Sequence, residues 1–213
     1  MNSVPGDEAL IQLQMQVQTS NTAAKLTTAN QEISELIIDE VRLYVDEMEL
    51  ESIENDSLEF EIEDFIVNLP LDGSPLTLDE IVLPQGLYDE FELEIEKAED
   101  DVNVSDTDFR DETGTYSVVV KGTYNTEPFT FRSSEDFGFE LELNPPLELG
   151  ENESSVLKVT VDVSSWFKGS SGENLDPNDQ GNYEMINQNI ENSFEGFEDE
   201  NDFDDSDDDE SDD

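Results

Sequence analysis

A chain of 213 residues with 58 acidic and 8 basic side chains carries a formal charge of −50, and it contains neither histidine nor cysteine. Histidine-based triads, His/Cys zinc sites and disulfides are excluded by composition, and the charge disfavours binding to nucleic acid or to an anionic membrane. Hydrophobic residues make up only 34%, low for a globular chain, but they gather in short alternating runs that disorder does not require.

The first run is Ile11, Leu13, Met15 and Val17, separated by glutamines. This period of two predicts a half-buried strand over 11–17. Residues 19–31 are polar and rich in Thr, Asn and Ala, which predicts a loop or a short loose helix. A strand over 41–50 carries Val41, Leu43 and Val45, then changes phase to Met48 and Leu50, implying a bulge near Asp46. A strand over 58–69 does the same, with Leu58, Phe60 and Ile62 in one phase and Phe65, Val67 and Leu69 in the other, implying a bend near Asp64.

After the turn Asp72-Gly73-Ser74-Pro75, a short strand covers Leu76 to Leu83. The clearest strand is 91–95, where Phe91, Leu93 and Ile95 alternate with glutamates. Residues 99–115 read as a polar loop. Strands follow over 118–124, at Phe129 and Phe131, over 137–143 until Pro145-Pro146 ends the run, and over 157–163. Side chains expected in the core include Leu43, Phe60, Phe91, Leu93, Ile95, Phe139, Val159 and Val161. About eight to ten strands at short spacing, with no helical alternation between them, predict an antiparallel β-sandwich. Its Glu-apolar-Glu strands should have one face in the core and one in water.

Trp166-Phe167 should plug the end of the sandwich; the alternative is an exposed aromatic pair for a sugar. From Tyr183, the spacing of Ile186, Ile190, Phe194 and Phe197 predicts an amphipathic helix to residue 197, packed on the sandwich. Residues 198–213 hold twelve acidic side chains and no basic one, leaving −38 on residues 1–197. The expected organisation is a β-sandwich over 8–167, a turn and helix over 168–197, and an acidic disordered tail over 198–213. A body so acidic repels itself at low ionic strength. Since the Debye length shrinks from about 10 Å at 0.1 M to about 3 Å at 1 M, stability should rise with salt.

The sharpest local pattern is Asp176-Pro177-Asn178-Asp179-Gln180-Gly181-Asn182-Tyr183-Glu184-Met185-Ile186-Asn187. Oxygen donors at the first, third and fifth positions and glycine at the sixth approximate the calcium loop of EF-hand-like sites. Asp176, Asn178, Gln180, the Asn182 carbonyl and Asn187 are the candidate metal ligands, with calcium as the cofactor they suit. Asn187 stands where a bidentate glutamate is usual, and the competing reading is a polar loop capping the helix through Asp179 or Asn182. Residues 202–210 could hold divalent cations loosely. The glutamate-rich strand faces read as solvated: among so many acids, spacing alone cannot select a pair for glycoside hydrolysis. No catalytic residue and no organic cofactor is assigned.

Val120-Lys121-Gly122-Thr123-Tyr124-Asn125-Thr126-Glu127-Pro128-Phe129 and Val161-Asp162-Val163-Ser164-Ser165-Trp166-Phe167, followed by Leu175-Asp176-Pro177, Ile186, Asn189-Ile190 and Ser193-Phe194, resemble uncharacterised secreted or lipid-anchored bacterial envelope proteins. The resemblance spans most of residues 35–204. It implies a transthyretin-like or immunoglobulin-like sandwich with a C-terminal helix and an Asp-rich end; it carries no catalytic residues. Residues 1–6 have neither the basic nor the apolar region of a signal peptide, so a cytoplasmic protein or a mature segment is expected. No apolar run is long enough to span a membrane.

These observations favour a non-enzymatic extracellular or envelope binding or structural module adapted to high salt, with cations and other envelope proteins or polysaccharide as partners. The alternatives are a calcium-dependent adhesion or matrix module, a cytoplasmic acidic chaperone of basic proteins and, last, a carboxylate-only hydrolase.

Overall fold

The computed structural model describes residues 8–18, 35–53, 60–99, 102, 104–151 and 154–199. The expected loop at 19–31, Leu58 and the tail from residue 200 lie outside them. Strands β1 (Glu8–Val17), β2 (Leu36–Ser52), β3 (Phe60–Asn68), β4 (Leu76–Pro84) and β5 (Gly86–Ile95) lead to a two-residue hairpin, β6 (Arg110–Asp111) and β7 (Gly114–Thr115). Then come β8 (Val118–Tyr124), β9 (Glu127–Ser133), β10 (Phe137–Leu149), β11 (Ser154–Val161), helix α1 (Tyr183–Glu191) and β12 (Phe194–Asp199). One sheet has the order β12-β11-β1-β4; the other runs β10-β5-β2-β8-β9, with β3 added to β2. Pairing is antiparallel throughout the described strands except between β1 and β11.

The period-two pattern explains this arrangement. Ile11, Leu13, Met15 and Val17 of β1 and Leu157, Val159 and Val161 of β11 meet Leu43, Met48, Leu50, Phe91, Leu93 and Ile95 of the facing sheet in one core. The chain is an all-β sandwich with one short C-terminal helix. Of the expected core residues, Phe60 and Phe139 are half-buried against that core and the others are buried.

Strand β2 organises its sheet. Residues 47–50 pair with β3 and β5 at once, and residues 42–43 with β3 and β8 at once. So β3 flanks one edge of β2, while β8 and β5 share the other edge in succession. The expected bulges take a different form. Val45 and Met48 both point inward, as do Phe65 and Ile62 opposite them, yet Val45 pairs with Phe65 and Glu47 with Glu63 without a change of register. Both strands flip phase at facing aspartates, Asp46 and Asp64. Asp64 makes its flip at φ 56°, a left-handed conformation that aspartate tolerates better than most residues, and its carboxylate accepts the Tyr44 hydroxyl.

Three elements depart from the expected pattern. Strand β10 continues past Pro145-Pro146 to Leu149, and its pairing with β5 shifts register between Glu142 and Leu147 to accommodate them. The described part of the loop at 99–115 contains the β6–β7 hairpin and folds over β2 and β8, where Phe109, Tyr44, Ala98 and Val119 form a second small core. The helix stops at Glu191 rather than 197: Asn192 and Ser193 turn the chain, their amides bonding to Gln188 and Ile190 carbonyls, and β12 joins the sandwich beside β11.

Trp166 closes that end. Its indole N–H donates to Ser193 Oγ at 2.7 Å, and Ser193 Oγ donates to the Ile190 carbonyl at 2.6 Å. Phe167 packs edge-on against Phe131 and tilted against Phe129. Both aromatic side chains are buried, so they plug the sandwich and offer no sugar platform. Trp166→Ala should lower stability by about 3–5 kcal/mol through the cavity it leaves. Ser193→Ala, which strands a buried indole N–H, should cost about 1–3 kcal/mol. Denaturant unfolding in concentrated salt measures both.

Candidate functional site

The outward side of the β3-β2-β5-β10 quartet is where the glutamates collect. Glu61, Glu49, Glu92 and Glu140 face one another strand to strand. The next row holds Glu63, Glu47, Glu94 and Gly138, and the row on the other side Glu51, Glu90 and Glu142. Apart from Gly138, every outward position in these rows is a carboxylate. Strand spacing sets neighbours in a row about 5 Å apart, and the two-residue repeat sets rows about 7 Å apart. Near the centre, Glu49, Glu51 and Glu92 can each bring one carboxylate oxygen within 4.8 Å of the others.

The electrostatics follow from this register. Burial, then the carboxylates of Glu61, Glu92 and Glu63, raise Glu47 above the ordinary glutamate range. Burial, then Glu96, Glu92 and Glu47, raise Glu94. Lost hydration, then Glu140, Glu51 and Glu92, do the same to Glu90. Asp46 and Glu96 continue the field at one end, both raised by burial first and by neighbouring carboxylates second.

Several of the few cations are engaged elsewhere. Arg42 on β2, Lys121 on β8 and Arg132 on β9 converge on the folded-over loop. Arg42 pairs with Asp108 and, at 2.6 Å, with Asp106. Its Nε faces Glu40 at 3.1 Å, and its guanidinium lies over the Phe109 ring. Lys121 reaches Asp108 at 2.5 Å and Glu40 at 3.1 Å, while Arg132 donates from Nε to the Asp108 carbonyl at 3.0 Å. Lys97 is paired with Asp136. The sheet is thus divided at Asp46 and Asp64. One half is clamped under a loop by arginine and lysine, and the other presents laddered carboxylates.

The expected metal ligands lie in and beyond the loop before α1. Asp176 Oδ1 accepts the Asn178 amide at 2.9 Å, and the Asn182 side-chain amide donates to the Asp176 carbonyl at 3.1 Å. Asp179 Oδ1 accepts the Gly181 amide and caps the single 3-10 turn, Gln180–Asn182, that runs into α1. Asn182 makes no side-chain cap bond. Asn187, four residues into α1, lines a cleft of about 670 Å³ with Tyr116, Arg132, Tyr183, Gln188 and Glu191. Its Oδ1 is buried with no hydrogen-bond donor among the described residues. The structure therefore joins Asp176 to Asn178 and Asn182 by hydrogen bonds and sets Asn187 in the cleft wall.

Neither the glutamate rows nor the cleft follow from spacing along the chain. The signal for the rows was the repeated Glu-x-Glu phase in four separate runs; the missing information was which runs pair. Comparison with protein-family models, with curated proteins and with solved structures finds no match.

Two outcomes are expected from these electrostatics. Like charges facing across strands destabilise by about 0.2–1 kcal/mol per pair. Glu47→Gln should therefore raise the thermal midpoint at low salt, with the gain fading as salt screens the rows. The pH dependence has two signs. Carboxyls raised in the folded chain bind protons more readily there than when unfolded, so stability grows as pH falls from neutrality through their raised range. Asp106, lowered by the Asp108 amide and then by Arg42, and Asp111, lowered by the Thr113 hydroxyl and then its amide, contribute stability that is lost as pH falls through their depressed values. Low-salt unfolding scans should place maximum stability at about pH 4–5, with a fall below it.

Proposed function

We propose that this protein is a non-enzymatic binding and structural module of an extracellular or cell-envelope setting, adapted to concentrated salt, whose working surface is the glutamate-laddered face of β3, β2, β5 and β10. The in-register rows carry this reading. A sheet face with carboxylates about 5 Å apart concentrates cations from solution, and hydrated or bridging cations are what such a face can present to an acidic polysaccharide or to other envelope proteins. The resemblance to secreted or lipid-anchored envelope proteins agrees with that setting. An activity based on proton transfer has less support, because these carboxylates repeat along the face rather than converging on an enclosed cleft.

A calcium-dependent adhesion or matrix role is the second reading, favoured by one observation: the convergence of Glu49, Glu51 and Glu92 within 4.8 Å. Hard oxygen donors at that spacing suit calcium, and an open extracellular site of this kind binds on the order of 10⁻⁴–10⁻³ M. Thermal unfolding separates the readings. The midpoint should climb as sodium chloride rises from about 0.05 M to about 3 M, since screening shortens the Debye length several-fold. A flat midpoint would overturn the salt-adapted reading. Calcium at matched ionic strength should add a further shift if the second reading holds. Loss of that shift in the Glu49→Gln, Glu92→Gln double variant assigns it to the face, and loss in Asp176→Ala assigns it to the loop before α1.

A further inference from the structure

Strand β1 has a neighbour on each side. It lies inside its sheet, parallel to β11 from Leu10–Ser154 to Val17–Val161 and antiparallel to β4. Ala9, Ile11, Leu13, Met15 and Val17 are all buried in the main core. Without β1, two strand edges and an apolar trough would be open between β11 and β4. Residues 18–35 join the strand to β2, and a chain of that number of residues can span roughly 60 Å at full extension.

Its charge is as distinctive as its place. Residues 9–31 contain no acidic side chain and one basic one, Lys25, and form the longest acid-free stretch of the chain. Its outward side chains are glutamines: Gln12 donates to Glu80 Oε1 at 2.8 Å and Gln14 to Gln12 Oε1 at 2.5 Å. In a protein of charge −50, most surfaces of one copy repel those of another. A strand whose one charged residue is Glu8 at its start, and which carries its own hydrogen-bonding edges and apolar side chains, is repelled far less.

We infer that β1 is an exchangeable strand, and that the slot between β11 and β4 accepts the β1 of a second copy of this chain. The contacts made inside one copy and between two are identical, so exchange is a low-cost route to linked copies. The balance is then set by concentration. A link of this length presents β1 to its own slot at an effective concentration on the order of 10⁻³ M. Dilute protein is closed on itself. Protein crowded near that concentration links copy to copy, and salt favours linkage by screening the repulsion between bodies. This rests on β1 alone, independently of what the acidic face binds.

The absence of cysteine makes a direct test available. Gln16 and Thr160 are register partners on β1 and β11, on the outward side of the sheet. Protein carrying only Gln16→Cys is mixed with protein carrying only Thr160→Cys. The two are unfolded and refolded together in concentrated salt, oxidised and separated without reductant. Disulfide-linked pairs should form at about 1% when protein is near 10⁻⁵ M and at tens of per cent near 10⁻³ M, following the effective concentration of the tether. Gln16→Cys mixed with Ser170→Cys, whose position is exposed and outside the sheets, sets the random background. The Gln16→Cys, Thr160→Cys double variant should close internally when dilute. If it does so while the mixed single variants never exceed the background, β1 never leaves its own slot and the inference is overturned. Failure of the double variant to close would overturn it equally, because the parallel register would then be wrong.

Discussion

Every strand of the β3-β2-β5-β10 quartet has a carboxylate ladder on one face and core on the other, and the fold depends on the second outweighing the first. Met48, Leu93 and Ile62 sit one residue away from rows in which glutamate faces glutamate. Burying a large aliphatic or aromatic side chain contributes about 1.5–3 kcal/mol, against about 0.2–1 kcal/mol for a facing like-charge pair. Apolar burial wins row by row, but the margin moves with ionic strength, because only the repulsive side is screened.

Strand β2 connects this balance to the rest of the molecule. The paired phase flip at Asp46 and Asp64 lets one long strand serve two outer faces of opposite character. Before the flip, Arg42 and Tyr44 point outward, meet the loop carrying Asp106, Asp108 and Phe109, and close a small second core. After it, Glu47, Glu49 and Glu51 point into solvent. Arg42, Lys121 and Arg132 stand on the covered half and no basic residue stands in the glutamate rows, so the exposed half keeps its negative field. The clamp and the ladder are two consequences of one allocation of scarce cations.

Much of this was legible in the sequence. Alternation of apolar and acidic residues located the strands, and the phase changes near Asp46 and Asp64 were visible as breaks in that alternation. The plug at Trp166-Phe167 followed from a lone tryptophan at a strand end. The rows were not legible, because Glu61, Glu49, Glu92 and Glu140 are aligned by pairing among strands distant in the chain. The clamp was hidden for a similar reason: Phe109 is an isolated apolar residue in a polar stretch, and only the fold brings it to Tyr44 and Val119. The end of α1 is hidden in the sequence because Ile186, Ile190 and Phe194 keep helical spacing across a turn. There, pairing of β12 with β11 overrides the local period.

The environment of Trp166 has an optical consequence. It is the one tryptophan in the chain, it is sealed from solvent, and its indole is fixed to Ser193 where the helix hands over to β12. Emission from this single ring should be blue-shifted in the native chain and move red when that end of the sandwich opens. The protein thus carries an intrinsic fluorophore at the junction of its two sheets and its helix. No label is needed to follow, residue-specifically, how an acidic sandwich closes as counterions arrive.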